Sequence, residues 1–240
     1  MTIVTKSPAA ILAGLLFLSS CATLSSEDII DLTDPNAPLT ERTVVNGLKQ
    51  ALRIGTERAS STLSARGGFS ENRLVRIPIP EDLRGVAAAL RTIGMTEQVD
   101  SFETLMNRAA ETAAGEAVDV FAEAILSMTI EDAFGILNGP NDAATTFFRE
   151  RTSVALEERF RPVVTDVMER VGLFRQYQDV LLLYNALPFA QPVTLDLTEY
   201  ITDKALDGLF LTLAEEERRI REDPVARTTE LLRRVFGRQS

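Results

Sequence analysis

From Thr40 onward, apolar residues recur at the three- and four-residue spacing of one helical face. Val44, Val45, Leu48, Ala51 and Leu52 make the first such series, with Thr40 placed to cap it and Gly67-Gly68 to end it. Arg76-Ile77-Pro78-Ile79-Pro80 interrupts the pattern. Each proline lacks an amide proton and drives its predecessor out of the helical basin, so this stretch is expected to be extended. Pro80 then suits the first turn of a second helix, with Glu81 and Asp82 at its positive end, whose face is Leu83, Val86, Ala87 and Leu90 and which stops near Gly94.

Residues 96–114 carry Ala109, Ala110, Ala113 and Ala114, small enough for two helices to approach closely, and Val118, Phe121, Ala122 and Ile125 continue the same period. Thr129 with Asp132 reads as a cap, Gly139-Pro140 as a stop, and Asn141 as the start of a long helix over 142–171 with a kink or break expected just before Pro162. Leu173, Tyr177, Val180, Leu181 and Tyr184 form the next series, ended by Pro188 and Pro192. Asp196 with Glu199 opens another helix, and Asp223-Pro224 a final amphipathic one bearing Leu231, Leu232, Val235 and Phe236. Between Ala205 and Ala214 only Asp207 and Thr212 break an all-round apolar segment, the mark of a helix surrounded by others. There is no alternating strand pattern of useful length and no solenoid repeat. The expectation is all-α: one domain over residues 39–240, with about eight to ten helices around a central apolar helix.

The N-terminal residues follow other rules. Lys6 is the only charge in residues 1–20, the stretch from Pro8 to Leu18 is apolar, and Ser19 and Ser20 directly precede Cys21. This is the layout of a secretory leader. As a helix the apolar stretch would be about 16 Å long, half of a ~30 Å hydrocarbon core, so it does not read as a spanning segment. Leu18-Ser19-Ser20-Cys21 resembles the lipobox of bacterial lipoproteins, which implies acylation of Cys21 as the first residue of the mature chain. Ala22 at the next position resembles the outer-membrane sorting case. Residues 21–38, with Glu27, Asp28, Asp31, Asp34, Pro35 and Pro38, read as an acidic tether, although a short ordered element around Ile29–Leu32 is the alternative.

Composition narrows the chemistry. The 240 residues include no histidine, no tryptophan and one cysteine, which excludes Ser-His-Asp triads, Cys-His dyads and the usual zinc cages. No metal and no cofactor is expected. The formal net charge is −10, one unit more negative without Lys6, so nucleic acid is disfavoured as a partner and anionic headgroups are repelled. Attachment by acyl chains on Cys21 fits that field better than a basic patch would.

Several constellations remain as candidate sites. Arg73, Arg76 and Arg84 flank the Pro-rich segment and could clamp a carboxylate or phosphate, or else pair with Glu71, Glu81 and Asp82 or pin the segment onto neighbouring helices. Asn138, Asn141 and Asp142 surround Gly139-Pro140 and offer oxygens and a helix start; a satisfied turn with Asn141 as cap is the simpler account. Glu131-Asp132 and Glu103-Glu111 supply carboxylates that would need to meet in a cleft to act as acid and base. Lys204, one of two lysines beyond the leader, could serve as a buried base or pair with Asp203 or Asp207. Glu215-Glu216-Glu217-Arg218-Arg219 with Arg221 reads as a solvated, salt-bridged face.

Four segments together resemble the bacterial family catalogued as domain of unknown function 4197. They are Val75-Arg76-Ile77-Pro78-Ile79-Pro80, Met106-Asn107-Arg108-Ala109-Ala110-Glu111, the run from Met128 through Pro140, and Lys204-Ala205-Leu206-Asp207-Gly208-Leu209-Phe210. The resemblance covers roughly residues 45–237 and implies a secreted or lipid-anchored helical envelope protein, with no activity and no catalytic residues to carry over. The expected role is a lipid-anchored outer-membrane protein facing the periplasm, whose helical domain takes an apolar ligand between helices or docks an envelope protein. The alternatives are a carboxylate-dependent hydrolase of cell-wall polymer and a structural or assembly factor of the envelope.

Overall fold

Three side chains set helix starts in the way the sequence anticipates. Thr40 Oγ1 accepts from the Thr43 amide at 3.2 Å, Asp196 Oδ1 accepts from the Glu199 amide at 3.0 Å, and Thr129 with Asp132 forms a reciprocal capping box. The computed structural model describes residues 40–186 and 195–223, and these form an all-α fold. The helices are α1 (Glu41–Ser64), α2 (Arg84–Thr92), α3 (Thr96–Ala114), α4 (Ala117–Ser127), α5 (Ile130–Asn138), α6 (Ala143–Arg170), α7 (Leu173–Asn185) and α8 (Leu197–Glu222). A 3-10 turn, Glu81–Leu83, leads into α2. The expected leader, Cys21 and the expected tether lie outside the described residues, as do Pro188, Pro192 and the helix expected after Asp223. No helix among the described residues is long and apolar enough to cross a membrane.

The segment singled out as central lies in α8, which packs against α1, α3 and α6. Ala205, Leu209, Phe210 and Leu213 are buried there. Leu211, 43% exposed, and Asp207 face water, and Leu206, Thr212 and Ala214 are half-buried, so the helix is enclosed on one side and not all round. On α3, Ala109, Ala110, Ala113 and Ala114 are fully buried, and their small side chains let its backbone approach the neighbouring helices. Phe121 of α4 joins α6 and α8: its ring meets Phe148 edge-on at 5.0 Å and Phe210 at 6.4 Å. Each fully buried phenylalanine of this cluster contributes about 2–3 kcal/mol by leaving water.

Four expectations need correction. The period does not run unbroken from α3 into the next helix, because Gly115 and Glu116 interrupt it. The face that α4 buries is Ala117, Val120, Phe121 and Ile125, while Val118 and Ala122 are half-buried. Asn141 is not the cap of α6; the cap position is Asp142, whose side chain makes no capping bond. Pro162 does not break α6, which continues from Ala143 to Arg170. Phe160 on one side of the proline and Val164, Val167 and Met168 on the other are all buried, so both halves gain more by packing than one missing hydrogen bond costs. Finally, Glu216 and Glu217 are buried and not part of a solvated face.

α8 passes so close to the segment after α1 that one position has no room for a side chain. A Cβ on Gly208 would lie 2.7 Å from Cε1 of the buried Phe69 ring and 3.2 Å from Val75 Cβ. Gly208→Ala is therefore expected to lower stability by about 1–3 kcal/mol through overpacking. Urea unfolding should show a lower midpoint with an unchanged slope; an unchanged midpoint would contradict this packing.

Candidate functional site

Between α1 and the 3-10 turn the chain runs through residues 67–80 without helix, and its backbone groups need partners. Gly67 starts the strap with φ of +88°, a conformation glycine adopts at little cost. Carbonyls within the strap take the amides of Glu71, Asn72, Val75 and Arg76, and α3 supplies further partners from three positions one turn apart, Glu103, Asn107 and Glu111. Glu111 Oε1 accepts from the amides of Gly67 at 3.1 Å, Phe69 at 3.3 Å and Ser70 at 3.2 Å, and from the Ser70 hydroxyl at 3.1 Å. Asn107, fully buried, acts like a neighbouring strand. Its Oδ1 accepts from the Ile77 amide at 2.8 Å, and its Nδ2 donates to the Ile77 carbonyl at 2.8 Å and to the Glu103 carbonyl at 2.8 Å. The Glu103 carboxylate lies 2.8 Å from Arg76 Nε. From α8, the Tyr200 hydroxyl donates to the Pro78 carbonyl at 3.0 Å. Burial pushes the Tyr200 phenol above its ordinary pKa.

This accounts for Arg76, which pins the strap onto α3, and it fixes the roles of Glu103 and Glu111. Arg84 pairs with Glu81 at 3.3 Å, and Arg73 is exposed. Asp132 takes the Thr129 amide at 3.0 Å and hydroxyl at 2.8 Å, with Arg151 at 3.3 Å. Those Thr129 bonds, with Arg151 as a smaller influence, hold its carboxyl below the usual range. Glu131, Asn138 and Asp142 are exposed around α5, and Lys204 pairs with Asp207 at 3.1 Å. None of the hollows described below is lined by more than one of Arg73, Arg76, Asp132, Asn138, Asp142 and Lys204. Among the described residues no group of three acidic or cysteine side chains is placed to hold a metal.

The residue that sequence reading missed is Glu217. From α8 it caps α6 across the fold: its two oxygens accept from the Ala144 and Thr145 amides, each at 2.9 Å, and Oε2 also accepts from the Thr145 hydroxyl at 2.8 Å. Arg221 completes the group, lying 2.9 Å from Glu217 and donating to the Ile136 carbonyl at 2.8 Å. Position 217 continues the buried series Leu209, Leu213 and Ile220, and that phase was the available signal.

Two larger hollows open at the surface. One, of about 400 Å³, lies between α2 and α7 and is lined by Val86, Ala89, Leu90, Ile93 and Leu183 among others. Its rim leaves Ile93 70% and Leu183 48% exposed. Val86 and Leu90 also border a void of about 20 Å³ deeper in, beside Ile79 and Phe102. The second, of about 350 Å³, lies between α6 and α8 and is polar, with Arg149, Ser153, Tyr200, Asp203, Lys204 and Asp207 on its walls. Burial, followed by the nearby carboxylates of Glu157 and Asp207, raises the Asp203 pKa.

Two outcomes test the structural assignments. Asn107→Ala strands the Ile77 amide and carbonyl, and should cost about 3 kcal/mol with faster exchange of the Ile77 amide proton; an unaltered exchange rate would contradict the clamp. Asp132→Ala should cost about 1 kcal/mol at neutral pH. Because the folded carboxyl titrates below its unfolded value, its contribution is present above about pH 4 and is lost as pH falls through the folded pKa. Melting curves of the variant and the parent should therefore converge in acid.

No curated protein and no solved structure matches the chain. The family model described as "Protein of unknown function (DUF4197)" matches residues 38–237, a span that holds α1 through α8, the strap and its clamp. With that match over most of its length, the chain belongs to the DUF4197 family.

Proposed function

We propose that this protein is a lipid-anchored envelope protein, tethered through acylated Cys21 to the outer membrane and facing the periplasm, whose helical domain binds an apolar ligand in the hollow between α2 and α7. The observation that carries the ligand reading is the chemistry of that hollow. Its volume of about 400 Å³ falls in the range of small-molecule sites, and its walls are mainly apolar, five aliphatic side chains with Thr92 and Tyr184. Two large side chains, Ile93 and Leu183, remain in water at its rim, where covering them would be favourable by about 25 cal/mol per Å². The lipobox-like Leu18-Ser19-Ser20-Cys21 supports the membrane placement, since a multiply acylated cysteine holds a domain durably beside a source of acyl chains. Three of the four acids considered for hydrolysis are engaged in structural bonds, Glu103 with Arg76, Glu111 with the strap amides and Asp132 with Thr129, and the fourth, Glu131, is exposed.

Two measurements test the two halves separately. Labelled palmitate should enter the full chain and not Cys21→Ser, which should leave the membrane fraction; an unlabelled parent would remove the anchor. In membranes, a diazirine-bearing fatty acid should crosslink chiefly to peptides containing Ile93 and Leu183, and Leu183→Glu should reduce that yield about tenfold by placing a charge in the apolar groove. Even labelling of all exposed peptides, or labelling indifferent to the substitution, would refute the ligand reading.

A further inference from the structure

The hollow between α6 and α8 is lined by two basic and two acidic side chains, Arg149, Lys204, Asp203 and Asp207, of which only Lys204 and Asp207 pair with each other among the described residues. The Arg149 guanidinium lies over the Phe210 ring, 4.4 Å from its centre, and Phe210 is buried, so the ring forms a fixed floor. A guanidinium stacked in this way keeps its edge N–H groups free, in the planar fork that receives a carboxylate through two parallel bonds. The other stacked arginine shows what ordinarily fills such a fork. Arg151, 5.5 Å from the Phe147 ring, is paired with Asp132 at 3.3 Å. Arg149 has no such partner among the described residues, although it shares its hollow with two aspartates. One of these, Asp207, is taken by Lys204 at 3.1 Å. The other, Asp203, makes no ion pair among the described residues. It faces the like charges of Glu157 and Asp207, with Arg161 and Lys204 as the nearby cations.

We propose that this hollow binds a small zwitterion, a free amino acid or short unblocked peptide, with its carboxylate on Arg149 and its ammonium on Asp203. A lone anion entering the hollow meets Asp203 and Asp207, and a lone cation meets Arg149; a molecule carrying both charges satisfies the two walls at once. The volume of about 350 Å³ accommodates a molecule of that size, and the Ser153 and Tyr200 oxygens can accept further hydrogen bonds from it. The site is separate from the α2–α7 groove and does not depend on it.

Calorimetric titration of the full-length protein with alanyl-alanine decides the matter, with N-acetyl-alanyl-alanine, alanyl-alanine amide and sodium acetate as comparisons. The free dipeptide should bind saturably, and blocking either end should weaken it about tenfold or more. Arg149→Gln and Asp203→Asn should each weaken binding about ten- to a hundredfold, while Arg151→Gln leaves it unchanged. Asp203 is exposed and asparagine is nearly isosteric with it, so Asp203→Asn is expected to fold, and it decides the outcome if Arg149→Gln does not. Absence of saturation by about 10 mM dipeptide, equal binding of the blocked or acetate probes, or parental affinity in Asp203→Asn would each overturn the proposal.

Discussion

A polypeptide that leaves helix inside a helical protein brings with it amide groups that water no longer reaches, and the architecture here turns on how residues 67–80 solve that. Turns within the strap take the amides of Glu71, Asn72, Val75 and Arg76, and one polar stripe on α3 takes others, with Glu111, Asn107 and Glu103 each gripping a different part of it. Because these positions are four apart they stand in a row, and successive parts of the strap can be read off along a single helix. With its amides satisfied, the strap can press Phe69, Val75 and Ile77 into the core, and α8 accepts this only by having no side chain at Gly208. Three of the four segments that carry the family resemblance meet at this contact, which gives them a structural purpose.

The same device operates at the start of α6. Four amides at a helix N-terminus need acceptors, and here a carboxylate from a distant helix replaces a local cap. Glu217 accepts from two of them and is itself balanced by Arg221, which spends its remaining reach on the Ile136 carbonyl. A buried carboxylate with full hydrogen bonding and a paired guanidinium is stable where an isolated one would not be. In both places the acids hold backbone in position, which accounts for the burial of Glu111 and Glu217.

Local signals were legible and distant ones were not. Thr40, Thr129 and Asp196 announce helix starts because each bonds three residues away, within the window a sequence pattern covers. The proline pair after Arg76 announced the strap for an equally local reason. By contrast, Glu111, Asn107 and Glu217 bond partners 44, 30 and 73 residues away, so nothing near them in the chain marks their task. Pro162 worked in the opposite direction: of the kink or break expected before it, the break is absent, because the buried residues on both sides outweigh the local penalty. Of the candidate site, Lys204 was correctly linked to Asp207, whereas the isolation of Arg149 depends on α6 lying beside α8 and was not readable from residue order.

The strap lines neither of the larger hollows but reaches each through one intermediary. The Pro78 carbonyl receives the hydroxyl of Tyr200, which lines the polar hollow, while Ile79 borders the small void that shares Val86 and Leu90 with the apolar groove. Adjacent residues thus connect the two, and communication through them would require the strap to have two stable arrangements. Asn107 opposes this by bonding both the amide and the carbonyl of Ile77, directly before that pair, from a position with no exposure to water. Shifting the strap would break both bonds in a place where no solvent replaces them, a cost that occupancy of either hollow would have to exceed. The two proposed sites are therefore expected to fill independently, with the α3 stripe holding the frame between them fixed.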